Sequence, residues 1–301
     1  MSELVWGPIM AGYLFFGGLA GGAYIVGALA DLFKGEDTEA LSQSGTYISF
    51  FSILIGLVLL VLDLKRFQVA PLVILNAYRR FPDSILTVGT WTITGFMAIS
   101  VVTSILWLFK GNALARKIIE IVGIILGLTT TAYTGLLLAF ARGATFWSSP
   151  FLPWTFVVSG TLTGLAISVF MIPVFAVFMP KLKTFLELYN EKSQFVKILG
   201  QTQRYVSALI VIELVLVIIE LATGHGHAEI LLTGSNLSLI FYTYLIIGLI
   251  APLGISYYTT KMIATTKHES VILYSMGQYI LILIGGLLLR YVILTAGQIF
   301  H

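Results

Sequence analysis

Four ionisable side chains interrupt long apolar stretches of this 301-residue sequence: Asp63, Glu213, Glu220 and Arg290. Ionisable groups at membrane depth are costly and are therefore functional hypotheses by default. A carboxylate in such a place can take a proton from a bound hydroxyl group, and a nearby guanidinium keeps the carboxylate ionised. Asp63 and Arg290 are thus candidate catalytic residues. Glu213 and Glu220 share one helical face and are candidates for a proton path.

These residues also have structural interpretations, which the sequence leaves open. Arg290 could pair with Asp63 or Glu220 simply to hold two helices together. Glu213 could form a hydrogen bond to a neighbouring helix and carry no proton at all.

Three aromatic residues fall in the same half of the predicted spans as Asp63 and Arg290: Tyr13, Trp91 and Tyr133. A buried tyrosine hydroxyl needs a hydrogen-bond partner, which a quinone carbonyl or another helix can supply. Tyr13 and Tyr133 are therefore candidate ligand contacts, and Tyr133 is also a candidate catalytic residue beside Asp63 and Arg290. Four further tryptophans are expected in the aromatic belt at the membrane surface: Trp6, Trp107, Trp147 and Trp154.

Cysteine is absent, so no iron–sulfur cluster ligated by thiolates and no disulfide is expected in this protein. The four histidines are His225, His227, His268 and His301, and none falls within a predicted span. Membrane cytochromes hold haem with histidines from their helices, so we expect no intramembrane haem. His225 and His227 could bind a metal, but a solvated loop is the simpler interpretation, and no metal site is predicted.

The elements that must position these residues are membrane helices. Hydrophobic residues make up 58% of the sequence and charged residues only 10%, whereas soluble domains carry about 25% charged residues. The sequence predicts an all-α polytopic integral membrane protein, with residues 1–301 as one domain and no role in nucleic-acid binding. The eight predicted spans are Pro8–Leu32, Thr46–Leu62, Ile85–Phe109, Ile118–Phe140, Trp154–Met179, Tyr205–Thr223, Leu237–Tyr258 and Val271–Thr295.

The loops after the odd-numbered spans carry most of the Lys and Arg residues, and such loops usually face the cytoplasm. Both termini are therefore predicted on the outer, periplasmic side of the cell membrane. Recurring small residues, as in Gly17–Gly22, indicate close helix packing. Pro173 and Pro252 predict kinks or, in a transporter, broken helices. No sequence repeat is evident, although eight helices could form two four-helix bundles.

Five segments, in this order, resemble the NrfD/PsrC family, the membrane subunits of polysulfide reductases and related complexes. They are the Gly-rich Tyr13–Tyr24, the acidic turn Leu62–Phe67, the stretch Ser84–Phe96 with its Gly-Thr-Trp, the helix end Tyr133–Ala139, and Gly285–Gln298. The resemblance covers nearly the whole sequence. Each segment alone is a weak signal, whereas their joint order together with eight spans is specific.

The resemblance implies a site for menaquinone or a related quinone near the outer membrane surface. Tyr133 matches a quinone-binding Tyr of the family, and Asp63 matches an acidic position linked to quinone binding or protonation. Tyr13 stands where some members have a His, so hydrogen bonding there is retained while proton exchange at neutral pH is harder. Trp91, in the third segment, completes the expected quinone contacts.

The resemblance also implies partners: an extrinsic four-cluster iron–sulfur subunit and, beyond it, a molybdopterin catalytic subunit on the outer face. Arg66, Arg79, Arg80 and Arg142 could belong to that docking surface or could contact lipid headgroups. We therefore predict a quinol-oxidising or quinone-reducing subunit of a respiratory complex. The alternatives are a proton- or ion-translocating transporter and a passive membrane anchor.

Overall fold

A computed structural model describes residues 6–34, 38–63, 78–79, 84–140, 147, 149–179, 182–223, 228–233, 236–263 and 268–299. Within these ranges the protein is helical and contains no strand. The helices are α1 Pro8–Lys34, α2 Glu39–Asp63, α3 Ile85–Leu108, α4 Ala113–Ala139, α5 Leu152–Phe178, α6 Lys183–Asn190, α7 Lys192–Thr223, α8 Ala228–Leu232, α9 Asn236–Thr243, α10 Ala251–Ile263 and α11 His268–Ile299. A π-helical segment, Tyr244–Ile250, joins α9 to α10.

Eight helical segments of the described residues are long and apolar enough to cross a membrane. They are α1–α5, α7, the continuous α9–π–α10 unit and α11. A bilayer core about 30 Å thick needs roughly 20 residues of helix, and each of these segments has 22 or more. The predicted all-α, eight-span membrane fold is confirmed.

The spans pack as two rings of four. In the first bundle, α1 and α3 each contact both α2 and α4. In the second bundle, α5 and α10 each contact both α7 and α11. Because α5 also contacts α1, α2 and α4, it joins the two bundles, and α1 reaches across to α11. The two predicted four-helix bundles are therefore present and share a broad interface.

Glycines on α1 allow its backbone to approach two other helices. A Cβ atom on Gly21 would overlap the carbonyl of Gly127 on α4, and one on Gly22 would overlap the carbonyl of Gly160 on α5. Apolar burial does not drive association in lipid, so such close contact of backbones is a main source of helix packing. The Gly-rich stretch of α1 therefore allows α1 to pack closely against both α4 and α5.

The first and last described helices meet at one end of the bundles. The Gln298 side chain accepts a hydrogen bond of 2.8 Å from the Trp6 backbone N–H and donates one of 2.9 Å to the Trp6 carbonyl. We call this the terminal end and the other the opposite end. The helices alternate in direction, so Asp63 at the end of α2 lies toward the terminal end. Which end faces outward stays a prediction from the Lys and Arg distribution.

Two spans begin well before their predicted starts. The second begins at Glu39 rather than Thr46, because its polar residues Ser42, Gln43 and Ser44 are buried against other helices instead of facing water. The sixth begins at Lys192 rather than Tyr205. The expectation of a short second span was wrong, since burial inside the protein lets polar residues continue a membrane helix.

The two intrahelical prolines have different outcomes. Helix α5 continues through Pro173 without interruption. Pro252 follows directly on the π-helical segment, at the second residue of α10. A proline has no backbone N–H and so removes one hydrogen bond from a helix. Short π-helical segments inside α-helices are frequent at functional sites.

Candidate functional site

The first cluster of predicted site residues is a pair of tyrosines at the terminal end of the first bundle. Tyr13 on α1 and Tyr133 on α4 lie near each other and are 2% and 6% exposed. The Tyr133 ring fills the space over Gly89 on α3, where a Cβ atom would overlap it. One step further along α4, Thr134 contacts Gly17 of α1. Three helices thus hold two phenol groups together in an apolar environment.

The chemistry of this pair is that of two neighbouring, buried hydrogen-bond donors. Buried tyrosine hydroxyls are donors that suit carbonyl oxygens, and a ring lying on a glycine can be held in a defined position. Tyr13 and Tyr133 were both predicted as ligand contacts, and the structure brings them together.

Asp63 and Trp91 lie at the same end of the first bundle as the tyrosine pair. Asp63 is the last residue of α2 and is half-buried. Trp91 on α3 is 51% exposed, and its indole packs edge-on to Tyr78 at 5.3 Å and donates a hydrogen bond of 3.4 Å to the Tyr78 carbonyl. Trp91 therefore contacts the segment that precedes α3 and faces outward.

A second cluster occupies the middle of the second bundle. Arg290 on α11 is fully buried and donates hydrogen bonds to the hydroxyl of Ser159 and to the carbonyl of Phe156, both on α5. Ser159 and the Arg290 guanidinium lie beside Glu213 on α7. The Tyr244 hydroxyl, at the start of the π-helical segment, donates a hydrogen bond of 2.9 Å to Glu213 Oε1.

This buried Arg–Glu cluster joins four spans and touches a fifth. A Cβ atom on Gly18 of α1 would lie 3.0 Å from Arg290 Nη2, so the guanidinium reaches the interface of the two bundles. Arg290 thus has Glu213 as its neighbouring carboxylate, a pairing that its position in the sequence did not suggest. Glu220, nearer the terminal end, accepts a hydrogen bond of 3.3 Å from Ser149.

A third cluster was missed by the sequence analysis. Arg116 on α4 forms a two-point ion pair with Asp31 on α1, at 3.0 and 3.1 Å, and lies 3.7 Å from Glu120. The Trp107 ring covers the guanidinium at 3.6 Å and is itself buried. All four residues lie toward the opposite end. Asp31 and Glu120 fall inside predicted spans, which was the signal that could have found them.

Two of the expected belt tryptophans are in fact structural. Trp107 covers Arg116, and Trp147 is 2% exposed, stacks on Trp6 and donates a hydrogen bond of 2.8 Å to the Ile293 carbonyl. Trp154, at 60% exposed, agrees with a place in the belt. The belt prediction was wrong for Trp107 and Trp147, because both indoles have partners inside the protein: the Arg116 guanidinium lies over the Trp107 ring, and the Ile293 carbonyl accepts from Trp147.

A cavity of about 780 Å³ lies far from the tyrosine pair. It lies between α7 and α10 toward the opposite end, and its lining includes Gln203, Arg204, Ser207 and Lys261. Among the described residues, no three His, Asp or Glu side chains form a group that could hold a metal ion. His225, His227 and His301, with Arg66, Arg80 and Arg142, lie outside the described residues.

Comparison with known proteins agrees with this architecture. The family model described as "Polysulphide reductase, NrfD" matches residues 1–301. The C subunit of the polysulfide reductase of Wolinella succinogenes is 28% identical over 188 residues, which is 55% of this protein and 57% of that relative. The aligned region thus spans little more than half the length of that curated relative.

Proposed function

The protein belongs to the NrfD family of polysulphide reductase membrane subunits, and from that premise we propose that it is the quinone-reactive subunit of a respiratory oxidoreductase complex. The observation that carries the proposal is the buried pair Tyr13 and Tyr133, held by three helices at one end of the first bundle. In this proposal the working direction is oxidation of menaquinol or a related quinol.

The two tyrosines would hold the quinone headgroup. Their hydroxyl groups would donate to its oxygen atoms, and the close contact with Gly89 restricts the position of the Tyr133 ring. A bound quinone supplies the exchange of two electrons and two protons. The surrounding apolar helices exclude water, which strengthens these hydrogen bonds.

Asp63 is the proposed proton acceptor of this site. It terminates α2 at the end of the first bundle where the tyrosine pair lies, and it is half-buried. A carboxylate in this position accepts a proton from a hydroxyl and releases it to water. Trp91 completes the proposed margin of the site, on the side of Tyr78.

Arg290, Glu213 and Glu220 form a second proposed element, a proton path through α7. Glu213 is 1% exposed, and its Oε2 atom accepts no hydrogen bond from the described residues. A buried carboxyl group next to a guanidinium can release its proton without becoming an isolated charge. Glu220 lies two turns closer to the terminal end on the same helix face.

The proposed partners are an extrinsic four-cluster iron–sulfur subunit and a molybdopterin catalytic subunit on the outer face of the cell membrane. This protein contains no cysteine to hold a cluster, so the electrons would leave the quinone site for a cluster in the partner. Of the four arginines assigned to docking, Arg79 lies among the described residues, next to Tyr78.

The test is quinol oxidation by the purified native complex carrying Tyr133→Phe or Asp63→Asn, compared at equal subunit assembly. Tyr242→Phe is the matched control, since Tyr242 is an exposed tyrosine bonded to the Leu232 carbonyl. We expect loss of quinol oxidation in the first two variants, with dye-linked activity of the catalytic subunit intact. Unchanged quinol kinetics in both would overturn the proposal and leave a passive anchor.

A proton- or ion-translocating function is the second candidate, because Glu213, Tyr244, Ser159 and Arg290 form a buried polar cluster across four spans. In proteoliposomes, ion uptake that proceeds without quinol and is abolished by Glu213→Gln would favour this function. Proton movement that appears only during quinol turnover would favour the oxidoreductase subunit.

A further inference from the structure

The Asp31, Arg116 and Glu120 cluster has more carboxyl groups than cations. The Arg116 guanidinium is bound at two points by Asp31 and covered by Trp107. Glu120 is 0% exposed, and neither of its oxygen atoms has a hydrogen-bond donor among the described residues. Its nearest cationic atom is Arg116 Nε at 3.7 Å, an atom already used by Asp31.

The charge balance of the cluster determines how many protons its carboxyl groups bind. One guanidinium neutralises one carboxylate, and a second buried carboxylate would be an uncompensated charge, which proteins avoid. The two carboxyl groups therefore hold one proton between them. Asp31 carries the hydrogen-bonded ion pair, so the proton belongs on Glu120.

The cluster reaches the protein surface on one side. Asp31 is three residues from the end of α1, and Arg116 is three residues after the start of α4. The Arg116 side chain is 12% exposed and that of Asp31 5%, whereas that of Glu120, one turn deeper on α4, is 0% exposed. A proton on Glu120 thus lies one helical turn below the surface of the opposite end.

On its inner side the cluster continues into the first bundle. The Tyr24 hydroxyl lies against Gly123, one turn beyond Glu120 on α4, and interacts electrostatically with the Glu120 carboxyl. Gly123 makes this possible, because a Cβ atom there would overlap the Tyr24 hydroxyl. Tyr24 also shares a hydrogen bond of 2.8 Å with Thr103 on α3.

Buried hydroxyl groups extend from Tyr24 toward the tyrosine pair. Ser49 and Ser100 share a hydrogen bond of 3.2 Å in the same bundle. Thr130, Thr131 and Thr134 follow on α4, and all three are at most 1% exposed. Thr134 is the neighbour of Tyr133. The first bundle therefore has buried polar groups at successive levels from Glu120 to the proposed quinone site.

We propose that Glu120 is a proton-carrying residue that exchanges protons with the opposite end and changes its protonation during quinone turnover at Tyr13 and Tyr133. The step moves a proton only, between Glu120 and water at the Arg116 side and through Tyr24 on the inner side. The proposal rests on the proposed quinone function. It differs from the Glu213 path in the bundle and in the residues involved.

The experiment is infrared difference spectroscopy on the purified native complex, with the wild type compared to Glu120→Gln. The matched control is Glu269→Gln, an exposed glutamate at the same end. A carboxylic-acid C=O band that is missing only in Glu120→Gln, and that shifts in D2O, identifies an exchangeable proton on this residue. Addition of quinol then shows whether that band responds to turnover.

We expect the Glu120 band to change when quinol is added and to stay constant in Tyr133→Phe. Tyr24→Phe alters no charge and should keep the band but remove its response to quinol. If Glu120→Gln does not assemble, this variant tests the proposal in its place. If the band does not change with quinol in a complex that oxidises quinol normally, the proposal is overturned, and Glu120 has only a structural role in holding α1 and α4 together. Absence of any response of the complex to quinol would remove the proposed function as well.

Discussion

The ring of Tyr133 rests so closely on the backbone of Gly89 that a Cβ atom at position 89 would overlap the ring. Residue 89 therefore sets the position of a side chain on another helix. The same dependence of a functional side chain on a glycine recurs at Gly18 under Arg290 and at Gly123 under Tyr24.

Gly89→Ala is expected to displace the Tyr133 ring and to lower quinol oxidation. A displacement of about 1 Å in a binding group can cost on the order of 100-fold in rate. Gly95→Ala on the same helix is the control, since its Cβ atom would lie in ordinary contact, 3.7 Å from Leu126. Steady-state quinol oxidation at equal assembly measures both. Equal activity of the two variants would mean that the Tyr133 position is unimportant.

Gly22→Ala is expected to destabilise the packing of α1 against α5, because the new Cβ atom would overlap the Gly160 carbonyl, which is backbone and cannot turn away. Overpacking of this kind costs about 1–3 kcal/mol or more. Gly56→Ala is the control, because the new Cβ atom would lie in ordinary contact, 3.5 Å from Phe16 Cβ. Thermal unfolding in detergent should separate the two variants, and matching midpoints would contradict the packing argument.

Tyr244→Phe is expected to leave Glu213 Oε1 without its donor in a fully buried site. Loss of one partner of a buried hydrogen bond costs about 1–3 kcal/mol. Tyr242→Phe, two residues away and exposed, should change stability by less than about 0.5 kcal/mol. The measurement is the free energy of unfolding of both variants in the same detergent. A stable Tyr244→Phe protein would show that Glu213 finds another donor.

Arg116→Met is expected to lower the free energy of unfolding far more than removal of an exposed ion pair does. The guanidinium is the buried partner of Asp31, and breaking such a pair costs about 3–5 kcal/mol. The control is Lys192→Met, which removes an ion pair of 2.8 Å with Glu269 at the surface and should cost less than about 1 kcal/mol. Similar losses of stability in both variants would contradict the assignment of the Asp31 pair as a buried one.

Much of the fold could be predicted because hydropathy in a bilayer acts on each span separately. The eight spans and the tyrosines at one end follow from that pattern. The partner of Arg290 could not, since hydropathy orders residues by depth and does not say which helices are neighbours. Arg290 lies beside Glu213 because α11 packs against both α5 and α7, a relation between helices distant in sequence.

Asp31 and Glu120 were overlooked for a different reason. Both lie within a few residues of a span end, where an acidic residue ordinarily faces headgroups and water. Here α1 and α4 pack so closely that Arg116 and Trp107 enclose both carboxyl groups. The buried start of α2 has the same origin, because protein neighbours replaced water around polar side chains.

The π-helical segment Tyr244–Ile250 has a consequence for the length of its span. A π turn holds one residue more than an α turn, so everything before it is rotated by about 100° relative to a regular helix. Deleting one residue among Leu245–Leu249 would restore a regular helix, and the Tyr244 hydroxyl would then turn away from Glu213. The hydrogen bond from Tyr244 to Glu213 therefore depends on the exact number of residues in this span as well as on their types.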